Sequence, residues 1–176
     1  MRIVGGEWAG RTLVSPAGRI RPTAEALREQ YMEMVADDLA GARVLDLFAG
    51  TGALGLEALS RGAAAADFVE NHPAALHSLK SNVAAFRAKG RIRLFKKDAV
   101  PFYEALDADA YDVAFADPPY QSTLAERVVR HWLQVPFARV LVVEHAAEQA
   151  LPGKGRRHPA GDSALTVYRT RGQPRR

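Results

Sequence analysis

This chain of 176 residues predicts an α/β fold with a mostly parallel sheet and helices on both faces. Three observations carry the prediction. Short apolar runs with β character alternate with stretches whose apolar residues recur at helical spacing, the pattern of linked βαβ units. Arg43–Gly55, R-V-L-D-L-F-A-G-T-G-A-L-G, reads as strand, glycine turn and helix. Asp46, Glu70, Asp98 and Asp117 stand where four of the strands end, and sheets of this kind bind ligands at the carboxyl ends of their strands.

Taken in order, residues 1–21 hold two short apolar stretches, Arg2–Val4 and Thr12–Val14, around Gly5, Gly6 and Gly10. They predict a small β-hairpin or loop with Trp8 near its tip. Arg11, Arg19 and Arg21 share this segment with Trp8, and arginine interleaved with an aromatic is the local chemistry of RNA contact. Packing of Trp8 against the domain body is the alternative. Pro22-Thr23 opens a helix to about Leu39, with Thr23 as its N-cap and Leu27, Tyr31, Met34, Val35 and Leu39 on its buried stripe. Arg28 and Glu29 lie off that stripe. Gly41 hands over to the strand at Val44.

Beyond the glycine turn, Ala53–Ser60 forms a crossover helix closed by Gly62, and Ala66–Val69 a strand with Glu70 at its end. His72–Lys89 is helical, with Leu76, Leu79, Val83 and Phe86 inward and Gly90 as the break. Ile92–Lys96 is a strand ending at Asp98, Val100–Leu106 a short helix, and Tyr111–Ala116 a strand running into Asp117. Thr123-x-x-Glu126 caps a helix that reaches Leu133. The nearly continuous apolar run Arg139–Glu144 fits a strand buried on both faces. Gly155–Arg171, with β character at Leu165–Tyr168, closes the sheet as a hairpin.

Two classes of ligand fit the turn. Gly50, Gly52 and Gly55 spell G-x-G-x-x-G, and Glu70 stands 20 residues after Gly50, where a dinucleotide fold places its ribose-binding acid. Asp46 tilts the reading toward S-adenosylmethionine. A carboxylate pointing into the turn repels a pyrophosphate but favours an ammonium or a sulfonium. As a structural residue it would cap the turn.

Asp117-Pro118-Pro119-Tyr120 is the most specific signal. A double proline after a buried strand cannot continue a ladder and fixes a rigid extended loop. The loop offers an acceptor carboxylate, free carbonyls and an aromatic face together, the groups that hold a planar exocyclic amine.

Composition narrows the field. With 48% hydrophobic and 25% charged residues the chain is that of one soluble globular domain. Absence of cysteine excludes disulfides and thiolate metal sites. The five histidines show no metal-like spacing, so no metal is expected. Neither a signal peptide nor a membrane span is legible, which points to the cytoplasm. The net charge of +4 is unevenly spread: residues 1–24 sum to +3 and residues 153–176 to +6, on an acidic middle. Basic ends suit a polyanion, usually nucleic acid.

Through D-L-F-A-G-T-G at Asp46–Gly52 and D-P-P-Y at Asp117–Tyr120, the chain resembles the class I S-adenosylmethionine-dependent amino-methyltransferases. More narrowly it resembles the bacterial small-subunit rRNA guanine-N2 methyltransferases. R-I-V-G-G-x-W-x-G-R at Arg2–Arg11, R-P-T at Arg21–Thr23, R-E at Arg28–Glu29 and G-A-L-G-L-E-A-L-S-R-G-A at Gly52–Ala63 carry that match. The resemblance implies a Rossmann-like fold with a mostly parallel seven-stranded sheet (residues 25–176) behind a basic, RNA-facing N-terminal extension (residues 1–24). It implies that Asp46, Phe48, Ala49, Gly50, Thr51 and Gly52 hold the methionyl part of S-adenosylmethionine. Glu70 and Asn71 would meet the ribose, and Asp98 and Ala99 the adenine. Asp117, Pro118, Pro119 and Tyr120 would hold the target guanine. Arg2, Trp8, Arg11, Arg19, Arg21, Thr23 and Arg28 would face RNA. The implied partner is 16S rRNA in the small ribosomal subunit or an assembly intermediate, met by a monomer. Tyr120 replaces the family's usual Phe, which keeps stacking. Ala26-Leu27 replaces Arg-Val, which removes a basic contact. Adenine N6 in DNA and a protein amide are alternative substrates for the same loop.

Overall fold

The computed structural model describes residues 1–15, 24–120 and 122–170. Its centre is a seven-stranded sheet ordered β3-β2-β1-β4-β5-β7-β6. The strands are β1 (Arg43–Leu47), β2 (Ala65–Glu70), β3 (Ile92–Lys96), β4 (Tyr111–Ala116), β5 (Ala138–Ala146), β6 (Arg156–Ala160) and β7 (Ser163–Arg169). β1 to β5 are parallel; β7 is antiparallel between β5 and β6. The helices are α1 (Glu25–Met34), α2 (Ala36–Leu39), α3 (Ala53–Ser60), α4 (Pro73–Ala85), α5 (Ala99–Glu104) and α6 (Leu124–Gln134).

Side-chain alternation along the strands separates two cores. Val44, Phe68, Val113, Phe115, Val140 and Val142 face one way, toward α1, α3 and α4. Leu45, Leu47, Val69, Ala114, Leu141 and Val143 face the other, where α5 and α6 supply Tyr103, Val128, Val129 and Trp132. Helices thus cover both faces, and the near-continuous apolar character of β5 follows from burial on each side. β5 runs past the expected Glu144 because β7 pairs with it as far as Ala146.

Several local expectations change. The helix expected from Pro22 to Leu39 is two: α1 stops at Met34, and Val35 (φ −120°, ψ 12°) turns the chain into α2. Ala24 holds the N-cap position of α1, and no side chain caps it. Thr23 lies outside the described residues. α4 ends at Ala85, four residues before the expected Lys89, as Arg87 takes a left-handed conformation (φ +54°) and Gly90 falls inside a short 3-10 turn, Lys89–Arg91. Thr123 sits at the N-cap of α6 without a capping bond. Ser122 closes that junction instead, donating from Oγ to the Pro119 carbonyl at 2.6 Å.

The N-terminal segment carries two larger corrections. Its hairpin reduces to one bridge, Arg2 to Thr12, and its apolar residues Ile3, Trp8 and Leu13 join the same core as α1, α3 and α4. Trp8, expected at RNA, is buried with its ring 5.0 Å from Phe86, and the Arg91 guanidinium lies 5.5 Å from it. An indole gains more from leaving water here than a surface contact would return. Arg28, also expected at RNA, is 0% exposed. Its side chain donates to the Arg2 carbonyl, and its Nε lies 3.7 Å from the Glu57 carboxylate.

Glu57, itself buried on α3, is the anchor of this region. It accepts the amides of Val4 (3.0 Å) and Gly5 (2.7 Å) and pairs with Arg61 at 3.1 Å. Removing a partner from a buried charge cluster leaves uncompensated donors and costs about 3–5 kcal/mol. Glu57→Ala is therefore expected to lower stability in urea denaturation by that amount and to expose residues 1–15 to limited proteolysis. A loss under about 1 kcal/mol would show that the segment is held elsewhere.

Candidate active site

The glycine turn follows β1 as a run of left-handed residues: Phe48 (φ +59°), Gly50 (φ +56°) and Gly52 (φ +80°). A bulky residue such as Phe48 adopts this conformation only at a cost of about 1–2 kcal/mol, a strain typical of functional turns. The turn is held from both sides. Asp46, buried at the end of β1, accepts the Gly55 amide in the first turn of α3 at 2.9 Å. Glu70, at the end of β2, accepts Gly50 N–H at 2.8 Å with one oxygen, and Asn71 and His72 N–H at 2.9 and 2.8 Å with the other. Gly52 is required by space as well as by φ, since a Cβ there would lie 2.3 Å from Leu79 Cδ1. Gly50 has no neighbour within 4 Å of such a Cβ. It faces open space.

That space is a cavity of about 960 Å³ over the carboxyl ends of β1, β2, β4 and β5. Asp46, Phe48, Ala49, Gly50 and Thr51 line one side, Glu70 and Asn71 the next, and Asp117, Pro118, Pro119 and Tyr120 the opposite side. The two motifs, 65 positions apart between Gly52 and Asp117, therefore meet in one site. Leu27 and Gln30 of α1 and the tip of the β6–β7 hairpin complete the wall. Gly52, Asp98 and Ala99 do not line it. Exposed Asp98 is joined to it through the Asn71 side-chain amide, which donates to the Asp98 carboxylate.

Burial raises the Asp46 pKa well above the ordinary carboxylate value; the Gly55 hydrogen bond opposes this, and nearby Asp117 and Glu70 push further upward. Five acids line this cavity, Asp46, Glu70, Asp117, Glu144 and Asp162, and together they favour a cationic ligand. Among the described residues no three His, Asp or Glu are grouped to hold a metal ion.

Glu144 was missed. It lies near the carboxyl end of β5, is 5% exposed, and accepts the hydroxyls of Tyr120 (3.0 Å) and Tyr31 (3.2 Å). The strand-end rule that singled out the other four acids applies to it equally. Burial, reinforced by the neighbouring Asp117 and Glu144 carboxylates, holds the Tyr31 phenol well above its ordinary pKa.

A second groove of about 740 Å³ opens beside the first and shares Gln30 and Pro159 with it. Lys154, Arg156, His158 and Arg169 line it beside Glu33, and Arg169 pairs with Asp38 at 2.8 Å. Of the arginines expected at RNA, Arg2 is exposed and paired with Glu25 at 3.3 Å, while Arg11 bonds the Ala85 carbonyl at 2.6 Å and covers the Phe86 ring at 4.2 Å. Arg19 and Arg21 lie outside the described residues.

The family described as "Conserved hypothetical protein 95" matches residues 1–168. Ribosomal RNA small subunit methyltransferase D of Escherichia coli K12 is 35% identical over 185 residues, covering 98% of this chain and 91% of the relative. The chain belongs to this family. The Haemophilus influenzae methyltransferase D is 31% identical over 150 residues, covering 81% of this chain and 77% of its own. The solved structure of yhhF from Escherichia coli superposes with a TM-score of 0.84 at 34% identity, covering 98% and 99% of the two chains. The fold is accordingly the Rossmann-like class I methyltransferase fold, the chain is a methyltransferase, and its cofactor is S-adenosylmethionine. The acids facing the glycine turn suit that cation and disfavour a pyrophosphate, so the dinucleotide alternative falls.

Two glycine variants separate fold from ligand. Gly52→Ala is expected to destabilise the protein, by collision with Leu79 on top of the positive φ. Gly50→Ala meets no atom and should cost only the left-handed strain of about 1–2 kcal/mol, while its methyl group enters the cavity and weakens S-adenosylmethionine binding. Thermal melting and calorimetric titration of the two variants check this.

Proposed function

We propose that the chain methylates the exocyclic N2 of a guanine in 16S rRNA, acting as a cytoplasmic monomer on the small ribosomal subunit or an assembly intermediate. One observation carries the reading: the Asp117–Tyr120 loop faces the glycine turn across a single cavity. The curated relatives are named as methyltransferases of small-subunit rRNA, which supports the substrate class.

When bound, S-adenosylmethionine supplies an electrophilic methyl group on a sulfonium. The turn Asp46–Gly52 would hold its methionyl part, Glu70 its ribose, and Asp98 with Ala99 its adenine. Asp117 and the Pro118 carbonyl accept the two hydrogens of the base amine and so aim the nitrogen lone pair. Asp117 also receives the proton that N2 gives up. The Tyr120 ring, 44% exposed at the cavity mouth, offers a stacking face. Rate comes from holding the amine in line rather than from a covalent intermediate. A guanine inside a duplex cannot reach this depth, so the base must be unpaired or flipped out.

The RNA backbone would lie along the basic groove, which opens directly off the cavity. Arg11 is tied to the last residue of α4, whereas His72, just before that helix, lines the cavity. The thirteen residues of α4 separate them, or about 20 Å.

Methyl transfer to small subunits lacking the modification tests the function, with naked rRNA, DNA and protein alongside. N2-methylguanosine is the expected product; label in DNA or protein overturns the rRNA reading. In the same assay Asp117→Ala should abolish transfer while leaving S-adenosylmethionine affinity within about two-fold, because its partner is the base. Lys154→Glu with Arg156→Glu should weaken rRNA binding and lower its salt slope by about one unit per lost phosphate contact. Filter binding across a salt series measures that change.

A further inference from the structure

We infer that Glu144 reads the Watson–Crick edge of the target base, accepting the N1–H of guanine and thereby selecting guanine over adenine. The inference rests on the guanine-N2 reading above and adds the residue that enforces it.

Register places Glu144 beside the amine acceptor. β4 and β5 are parallel neighbours with Ala116 opposite Val143. The next residues are Asp117, the first beyond β4, and Glu144, so the two follow directly from a pair of neighbouring strands that lie about 4.8 Å apart. Both line the cavity. Guanine carries its N1–H and its N2 amine next to one another on one edge, so two adjacent acceptors match two adjacent donors. Adenine presents a bare N1 lone pair at the corresponding place, and a carboxylate repels it.

The carboxylate has capacity for this bond. One oxygen accepts Tyr31 Oη and the other Tyr120 Oη, and each carboxylate oxygen can take a second donor. Among the described residues Glu144 forms no ion pair with Lys or Arg. A carboxylate kept 95% out of water beside a ligand cavity is costly unless further donors reach it. The ligand edge supplies one. The two hydroxyls also fix the head group in place, one from α1 and one from the aromatic residue that stacks on the base.

A purely structural Glu144 would do no more than hold Tyr31 and Tyr120. Methyl transfer to reconstituted small subunits separates the two roles. The methylated guanine, located first from the wild-type product, is replaced in the 16S rRNA by 2-aminopurine, which keeps the N2 amine but has a bare N1. The wild-type enzyme should prefer guanine in kcat/KM by at least about 100-fold, as a site built for a hydrogen bond rejects an analogue that lacks it. Glu144→Gln should lose about 100-fold on guanine and narrow the preference at least ten-fold, because its amide can donate to the bare N1. Loss of O6 in the analogue is common to both enzymes, so the change in preference isolates the N1 contact. Equal losses on both substrates, with the preference unchanged, would overturn the inference and leave Glu144 a support for its tyrosines. Wild-type turnover of 2-aminopurine as fast as guanine would also overturn it, while leaving the guanine-N2 reading intact. That comparison needs no variant and stands even if Glu144→Gln fails to fold. No transfer to guanine by the wild type would remove the substrate reading, and this inference with it.

Discussion

The bond between Asp46 and the Gly55 amide sets the geometry on which the cavity depends. A carboxylate at the end of β1 fastens the first turn of α3, and so fixes the angle at which the chain leaves the sheet. Glu70 does the same from β2 through Gly50. Between these two attachments the backbone has little freedom, which is how Phe48 is kept in a conformation it would otherwise avoid. The arrangement gathers like charges at one sheet edge. Burial first, and the neighbouring Asp117 and Glu70 carboxylates after it, raise the Asp46 pKa well above the ordinary carboxylate value. A cationic ligand such as a sulfonium is favoured by such a set of acids.

The same logic links the N-terminal segment to the chemistry, though it does not touch the ligand. Glu57 gathers the amides of Val4 and Gly5 with the cations of Arg28 and Arg61. Because Arg28 and Tyr31 are three residues apart on α1, pinning the first toward α3 fixes where the second points. Tyr31 reaches Glu144 across the sheet end, while Leu27 and Gln30 form the cavity wall. The glycine-rich start of the chain thus acts through α1: it places a wall of the cavity.

How far this could be read from the sequence depended on whether the signal was local. β3 and β4 match their expected limits residue for residue, and α3 does likewise, because apolar runs and glycine punctuation mark them directly. The four strand-end acids and the proline loop were legible for the same reason, and three of those acids share the cavity. Trp8 and Arg28 were not legible. An arginine off the apolar stripe looks like surface until its partner is known, and Glu57 lies 29 residues away in a helix with no other buried acid. Glu144 stood at the end of its expected strand like the other acids and was readable by the same rule; what the register of β4 and β5 adds is its place next to Asp117. The break at Val35 has no glycine or proline to announce it.

Sheet polarity separates the described cations near the two ends of the chain. In a parallel α/β sheet each crossover helix starts near the ligand edge and runs away from it. The N-terminal segment packs on Ser60 and Ala85, the final residues of α3 and α4. Its cation Arg11 therefore lies at the far end of α4, bonded to the Ala85 carbonyl, and Arg61, which closes α3 beside it, is consumed by Glu29 and Glu57. The β6–β7 hairpin is different. Its antiparallel return brings residues 160–163 back to the carboxyl edge, where they line the cavity, and it carries Arg156 and His158 along the adjoining groove. As an edge strand, β6 also keeps one row of backbone amides unpaired by the sheet. Among the described residues, the positive charge of the groove adjoining the cavity thus comes from the end of the fold, through Lys154, Arg156 and Arg169.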